Sequence, residues 1–215
     1  MDMIPALDDR ETSTLTALLA QRELELQELN HRIANSLQMV CSYLSLEKRR
    51  LEDPRLAEVL DTASARLAAV AKVHRHLAVR AVGSRVDLKS LLEDLCPEVA
   101  DTVNLTCSLS VDPMSVSGDL ARAVATVINE LAINAAKHAY GNEEGGKLRI
   151  ECRDMGDHLR LVVADAGKGL GKDFAPTGGN GLGMIIVNSI VRQIGGTLSA
   201  EDQDGAQFTL TAPLR

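Results

Sequence analysis

Apolar residues recur in steps of three and four along the first part of the chain, at Leu26, Leu29, Ile33, Leu37, Val40 and Leu44. That stepping marks one stripe of a long amphipathic helix, predicted over about Thr12–Arg50. His31, Asn35, Gln38 and Ser42 follow the same stepping on another face and form a polar ridge beside the stripe. Lys48-Arg49-Arg50 suits the negative end of the helix dipole. Asp53 and Pro54 then supply an N-cap and a first helical position, and a second helix is predicted to about Val79. Its apolar positions include Leu56, Leu60, Ala63, Leu67, Val70 and Leu77. Two long helices joined by a tight turn make an antiparallel hairpin, which cannot bury both stripes alone. Pairing with a second copy closes a four-helix bundle, so a homodimer is expected.

The helical pattern stops around Ala81-Val82-Gly83-Ser84, and this places a domain boundary between residues 1–82 and 83–215. Beyond it a helix is predicted over about Leu88–Ala100 and a strand over Val103–Val111, where Leu105, Cys107, Leu109 and Val111 alternate. Leu120–Ala139 reads as a strongly apolar helix, and strands Lys147–Arg153 and His158–Ala164 flank a turn. A glycine-rich segment, Gly167–Gly183, leads into a helix over Leu182–Ile194 and two last strands, Thr197–Ala200 and Ala206–Thr211. Helices grouped against an antiparallel or mixed sheet give an α+β sandwich.

Composition narrows the choices. There is no Trp and only Tyr43, Tyr140, Phe174 and Phe208 are aromatic, so the core must be mostly Leu, Val, Ile and Ala. No apolar run approaches the ~18 residues needed to cross a bilayer, and the acidic start is unlike a signal peptide. Cys41, Cys96, Cys107 and Cys152 are scattered without a Cys-x-x-Cys pair, against both a zinc site and a disulfide framework. His74 and His76, two apart on a helix, make a poor metal pair. A soluble cytoplasmic protein with free thiols is expected, without a membrane partner. Net charge is −7, most of it in the second half, and no basic stripe or aromatic platform offers itself to nucleic acid.

Three motifs of the second half carry candidate chemistry. In Asn129-Glu130-Leu131-Ala132-Ile133-Asn134-Ala135-Ala136-Lys137-His138, the residues Glu130, Asn134, Lys137 and His138 crowd one side of an apolar helix. Burying such groups costs desolvation unless they have partners or a ligand. Asp165-Ala166-Gly167-Lys168-Gly169 ends a strand, and its glycines let a flat ligand approach the carboxylate. Gly179-Asn180-Gly181-Leu182-Gly183 opens a helix, where successive backbone N–H groups bind an anion without basic side chains. A lone histidine on a helix surface is ordinarily just solvated; these motifs give His31 its interest.

In this order the motifs resemble those of a two-component sensor histidine kinase: a dimerisation and phosphoacceptor hairpin followed by a GHKL-type ATP-binding domain. Glu28-Leu29-Asn30-His31-Arg32-Ile33-Ala34-Asn35 resembles the His-Arg-x-x-Asn subgroup related to the HWE kinases. The resemblance implies a dimeric four-helix bundle joined to an α+β sandwich of the GHKL (Bergerat) ATPase type. It implies that His31 accepts a phosphoryl group from ATP and passes it to an aspartate on a response regulator receiver domain. Asn134 would coordinate Mg²⁺, Glu130 would orient a metal-bound water or the reacting groups, and Lys137 would reach a phosphate. Asp165 would accept from the adenine amino group, favouring ATP over GTP. Gly167, Gly169, Gly181, Leu182 and Gly183 would shape the pocket and cradle the phosphates.

Asn35, one turn after His31, sits where it could orient water on a phosphorylated partner, or where it serves only as a structural cap. The chain departs from many such kinases in having Arg32, not an acid, after the histidine, which leaves the general base open; Glu28, one turn earlier, is a candidate substitute. The short stretch from Leu170 to Asn180 offers Phe174 as the one lid aromatic. With about twenty residues before the hairpin, input is expected to come from another chain, such as a separate sensor protein, or to be absent. Two alternatives stay open: a response-regulator phosphatase or phosphotransferase using the same residues, and a nucleotide-switched binding module.

Overall fold

The structure, a computed structural model, describes residues 9–82, 85–140, 145–171, 174 and 181–214. Two helices, α1 (Asp9–Lys48) and α2 (Pro54–Arg80), form the hairpin. Its turn closes as the sequence predicts: the Asp53 carboxylate accepts from the Arg55 N–H at 2.8 Å, capping α2 in front of Pro54. Two ties fix the register of the pair. Cys41 Sγ lies 3.6 Å from the carbonyl of Ser64, and Lys48 pairs with Asp61 at 2.6 Å. Higher up, the Asn30 amide bonds the His74 ring at 2.9 Å.

Past the hairpin, β1 (Ala81–Val82), β2 (Arg85–Asp87) and β4 (Ser115–Ser117) form a small antiparallel sheet ordered β1-β2-β4. Periodicity does not predict this sheet, because strands of two or three residues are too short to show an alternation. Its register sets two helix starts. Asp87 caps α3 (Leu88–Thr102) by accepting from the Ser90 N–H, and Ser117 caps α4 (Gly118–Asn134) by accepting from the Leu120 N–H.

The main sheet runs β3 (Leu105–Val111), β5 (Gly146–Asp154), β6 (His158–Asp165), β8 (Ala206–Pro213), β7 (Thr197–Asp202). Only the β3–β5 pair is parallel, so the sheet is mixed. Alternate residues of β5 and β8 are buried, and α3, α4 and α5 (Leu182–Gln193) contribute to the same core. That core is aliphatic, with Leu91, Leu95, Ile128, Leu148, Leu161 and Leu210 almost wholly enclosed. Val73 of α2 belongs to it, so the hairpin is seated on the sandwich rather than tethered to it. No described helix is long and apolar enough to cross a membrane.

The stripe of α1 is not buried within one chain. Leu26, Leu29 and Val40 are 58%, 53% and 44% exposed, because α2 covers the adjoining flank marked by Ala34 and Cys41.

Candidate functional site

The site is built at the end of α4, where the helix widens. Ala135–Ala139 form a π-helical turn, and the Tyr140 N–H reaches the carbonyl of Ala135 at 3.3 Å. Such turns recur at functional sites because the extra residue turns side chains out of helical register. Asn134 and His138 line a cavity of about 430 Å³, shared with Asp165, Gly169, Phe174 and Phe208. The rings of Phe174 and Phe208 meet edge to face, with centroids 5.7 Å apart, and form its apolar wall. Most of the segment expected to act as a lid, including Gly179 and Asn180, lies outside the described residues.

Asp165 is half-buried at the end of β6. Its Oδ1 accepts from the N–H of Gly167 at 3.0 Å and of Ala206 at 3.1 Å. Two donors on one oxygen lock the carboxylate in place and leave Oδ2 free of both bonds. Tyr140, which the motifs do not single out, holds the same corner. Its hydroxyl accepts from the N–H of Ala166 at 2.7 Å and donates to the carbonyl of Lys147 at 2.7 Å. The only signal for it in the sequence is its rarity as an aromatic.

Gly181 begins α5 with φ of 87°, and no side chain caps this helix start. Gly183, the second residue of α5, is buried where three polar groups converge on it. A Cβ there would lie 2.9 Å from Arg66 Nη2, 2.9 Å from Glu130 Oε2 and 3.2 Å from Asn134 Oδ1. A side chain at this position would push the ends of these three side chains aside. Leu182 is exposed beside it.

Glu130 is only 2% exposed and its Oε2 pairs with Arg66 Nε at 2.9 Å. Burial pushes the Glu130 carboxyl above the ordinary range, and the Arg66 charge pulls it back. Lys137, expected to serve a phosphate, donates instead to the hydroxyl of Thr62 on α2. Arg66 and Thr62 have no sequence signature of their own, since each belongs to the face that α2 turns to the sandwich.

His31 and Asn35 are both exposed on α1, on the side away from the apolar stripe. The Asn30–His74 bond puts His31 level with His74, eight residues up α2 from Arg66, or ~12 Å along the helix axis at 1.5 Å per residue. The nucleophile expected from the sequence and the Glu130 corner are therefore not brought together in this arrangement. His74 is the more enclosed histidine, and burial, with the Arg122 charge second, lowers its pKa. The side chain of His76 lies outside the described residues. No cluster of three His, Cys, Asp or Glu that could hold a metal occurs among the described residues.

Comparison with known proteins finds two families along the chain. Residues 28–103 match a family described as histidine kinase, and residues 119–215 one described as histidine kinase-, DNA gyrase B- and HSP90-like ATPase. The chain has the two-domain make-up of a histidine kinase. The first match starts within α1 and runs through α2 and α3, and the second covers α4, α5 and the main sheet from β5 onward, a domain of GHKL ATPase type. The sensor histidine kinase PdtaS of Mycolicibacterium smegmatis is 28% identical over 204 residues, covering 91% of this chain and 41% of that protein. Blue-light-activated histidine kinase 2 of Erythrobacter litoralis is 24% identical over 184 residues, 81% of this chain and 52% of the relative. The fold is likewise that of a blue-light activated histidine kinase domain from Erythrobacter litoralis. That structure has a TM-score of 0.64 and 21% identity, and the match covers 82% of this chain and 96% of that one.

Proposed function

We propose that this chain is an ATP-dependent protein histidine kinase, with residues 1–82 as phosphoacceptor hairpin and residues 83–215 as catalytic domain. The observation that carries this reading is the convergence of Asn134 and Glu130 oxygens on the start of α5, beside a cavity that Asp165 lines. A triphosphate laid along this line has its adenine amino group at Asp165 Oδ2 and its phosphates at the unsatisfied N–H groups of α5. The donor set fits Mg²⁺. Asn134 and Glu130 offer hard oxygens, and the ion ordinarily keeps only one or two protein ligands with phosphate and water oxygens completing its octahedron. When bound, that ion neutralises charge on the phosphates.

In-line transfer to His31 then depends mainly on positioning. A lone pair on one imidazole nitrogen forms the N–P bond as the bridging P–O bond breaks, and ADP leaves with the electron pair. The remaining ring proton passes to Glu28, one turn earlier on the same exposed face. Transfer onward to an aspartate of a receiver domain, and pairing of two chains through the open α1 stripe, complete the proposal.

The test is phosphorylation with γ-labelled ATP. The chain is expected to gain acid-labile, alkali-stable phosphate, while His31→Ala gains none and Asn134→Ala falls at least 100-fold. Label on the His31→Ala protein would sink the reading. A second reading is favoured by the exposure of His31 and Asn35 away from the docked ATPase domain. The same face then dephosphorylates a receiver domain, and loss of label from a phosphorylated regulator without ATP distinguishes it.

A further inference from the structure

Two side chains of α2 occupy the end of the ATPase domain where the phosphates belong. The Arg66 guanidinium is 17% exposed, pairs with Glu130 through Nε, and brings Nη2 to the crossing point above Gly183 that Asn134 also faces. Thr62, one turn earlier, accepts from the Lys137 ammonium. Thus both the carboxylate and the cation of this corner are already spoken for by the hairpin. A guanidinium and a hydrated divalent ion cannot share one carboxylate corner, because each needs the oxygens that the other covers and their charges repel. In the same arrangement His31 stands ~12 Å up the bundle, eight residues of helical rise from the Arg66 level.

Resting on the kinase reading above, we infer that Arg66 is a competitor for the metal-nucleotide built into the hairpin, holding the ATPase domain docked where it cannot reach His31. Binding of Mg²⁺ with nucleotide and docking of α2 then exclude each other at Glu130. By linkage, whichever is strengthened weakens the other. The apparent affinity for metal-nucleotide is reduced by the fraction of molecules that are undocked.

The experiment measures equilibrium binding of a non-hydrolysable ATP analogue to the full chain, with Mg²⁺ and with EDTA. Arg66→Gln is expected to bind the analogue about tenfold tighter with Mg²⁺, as the competent fraction rises towards one. Little change is expected in EDTA, because the contest is for the metal corner. Weaker binding by Arg66→Gln would make Arg66 a phosphate ligand, and equal binding would make it a structural tie; either result overturns the inference. Since Arg66→Gln leaves Glu130 buried and unpaired, the unaltered chain supplies a second readout. Hydrogen exchange over residues 62–69 of α2 should quicken when analogue and Mg²⁺ are added together, and unchanged exchange under saturating ligand also overturns it. Failure of both proteins to bind the analogue at millimolar concentration removes the nucleotide reading itself, and this inference with it. Binding that ignores Arg66 removes only the inference.

Discussion

At the scale of single residues, Asp165 shows how a carboxylate is specified by what already occupies it. Because Gly167 and Ala206 both donate to Oδ1, the group cannot turn, and one oxygen is left to read a ligand. In Asp165→Asn the side-chain oxygen keeps the two backbone donors, and the amide N–H₂ faces the adenine amino group. ATP affinity should fall about 10- to 100-fold, corresponding to 1–3 kcal/mol for an unmade polar contact. GTP should lose less, since its carbonyl can accept from the new donor. Competition binding with both nucleotides checks this, and equal losses would argue against adenine at Asp165. The thiols show the opposite kind of specification. Burial, with the Asp112 charge second, pushes Cys152 up to about 12 from an ordinary value of 9.0. The unfolded chain therefore loses this proton first. The contribution is intact below pH 9.0 and is lost as pH rises towards about 12. Cys152→Ala should be less stable overall yet show a shallower alkaline decline in melting temperature, with Cys152 in the unaltered protein unreactive to thiol reagents at pH 8.

At the scale of elements, the end of α4 is the part that local rules describe least. The apolar run and the Ser117 cap account for the helix, but the π turn at Ala135–Ala139 is a compromise with the placement of Tyr140 just beyond it. Tyr140 must set its hydroxyl between β5 and the loop after β6, where it meets Lys147 and Ala166. Tyr140→Phe removes that hydroxyl and leaves two backbone N–H groups and a carbonyl to find water. A loss of about 2 kcal/mol is expected in urea unfolding, together with weaker nucleotide binding, because the Asp165 loop loses its anchor. A variant as stable as the parent would show that the hydroxyl is replaceable by solvent.

At the scale of the whole molecule, the open stripe of α1 and the seated ATPase domain divide the hairpin between two tasks. One flank packs Val73 and Arg66 against the sandwich, and the other leaves Leu26, Leu29 and Val40 uncovered. An apolar stripe this long on one helix is the kind of surface that a second hairpin closes. Leu29→Glu should shift the protein from dimer to monomer in sedimentation while leaving the sandwich folded, since Leu29 makes no part of the core. A parent chain that sediments as a monomer at tens of micromolar would defeat this expectation.

The residues by themselves marked the long helices and the strands of the main sheet, and singled out candidate site residues. Stepping of three and four fixes which face of α1 and α2 is apolar, alternation fixes the strands of the sandwich, and Glu130, Asn134, Asp165 and Gly183 stand out by type and spacing. These are local properties, decided within a turn or two of chain. What only the tertiary structure decided is which side chains meet across the fold. Arg66 and Glu130 are 64 positions apart, and Asp165 finds Ala206 across 41. Such pairings depend on how a helix is rotated and seated on its neighbour, and periodicity carries no record of that.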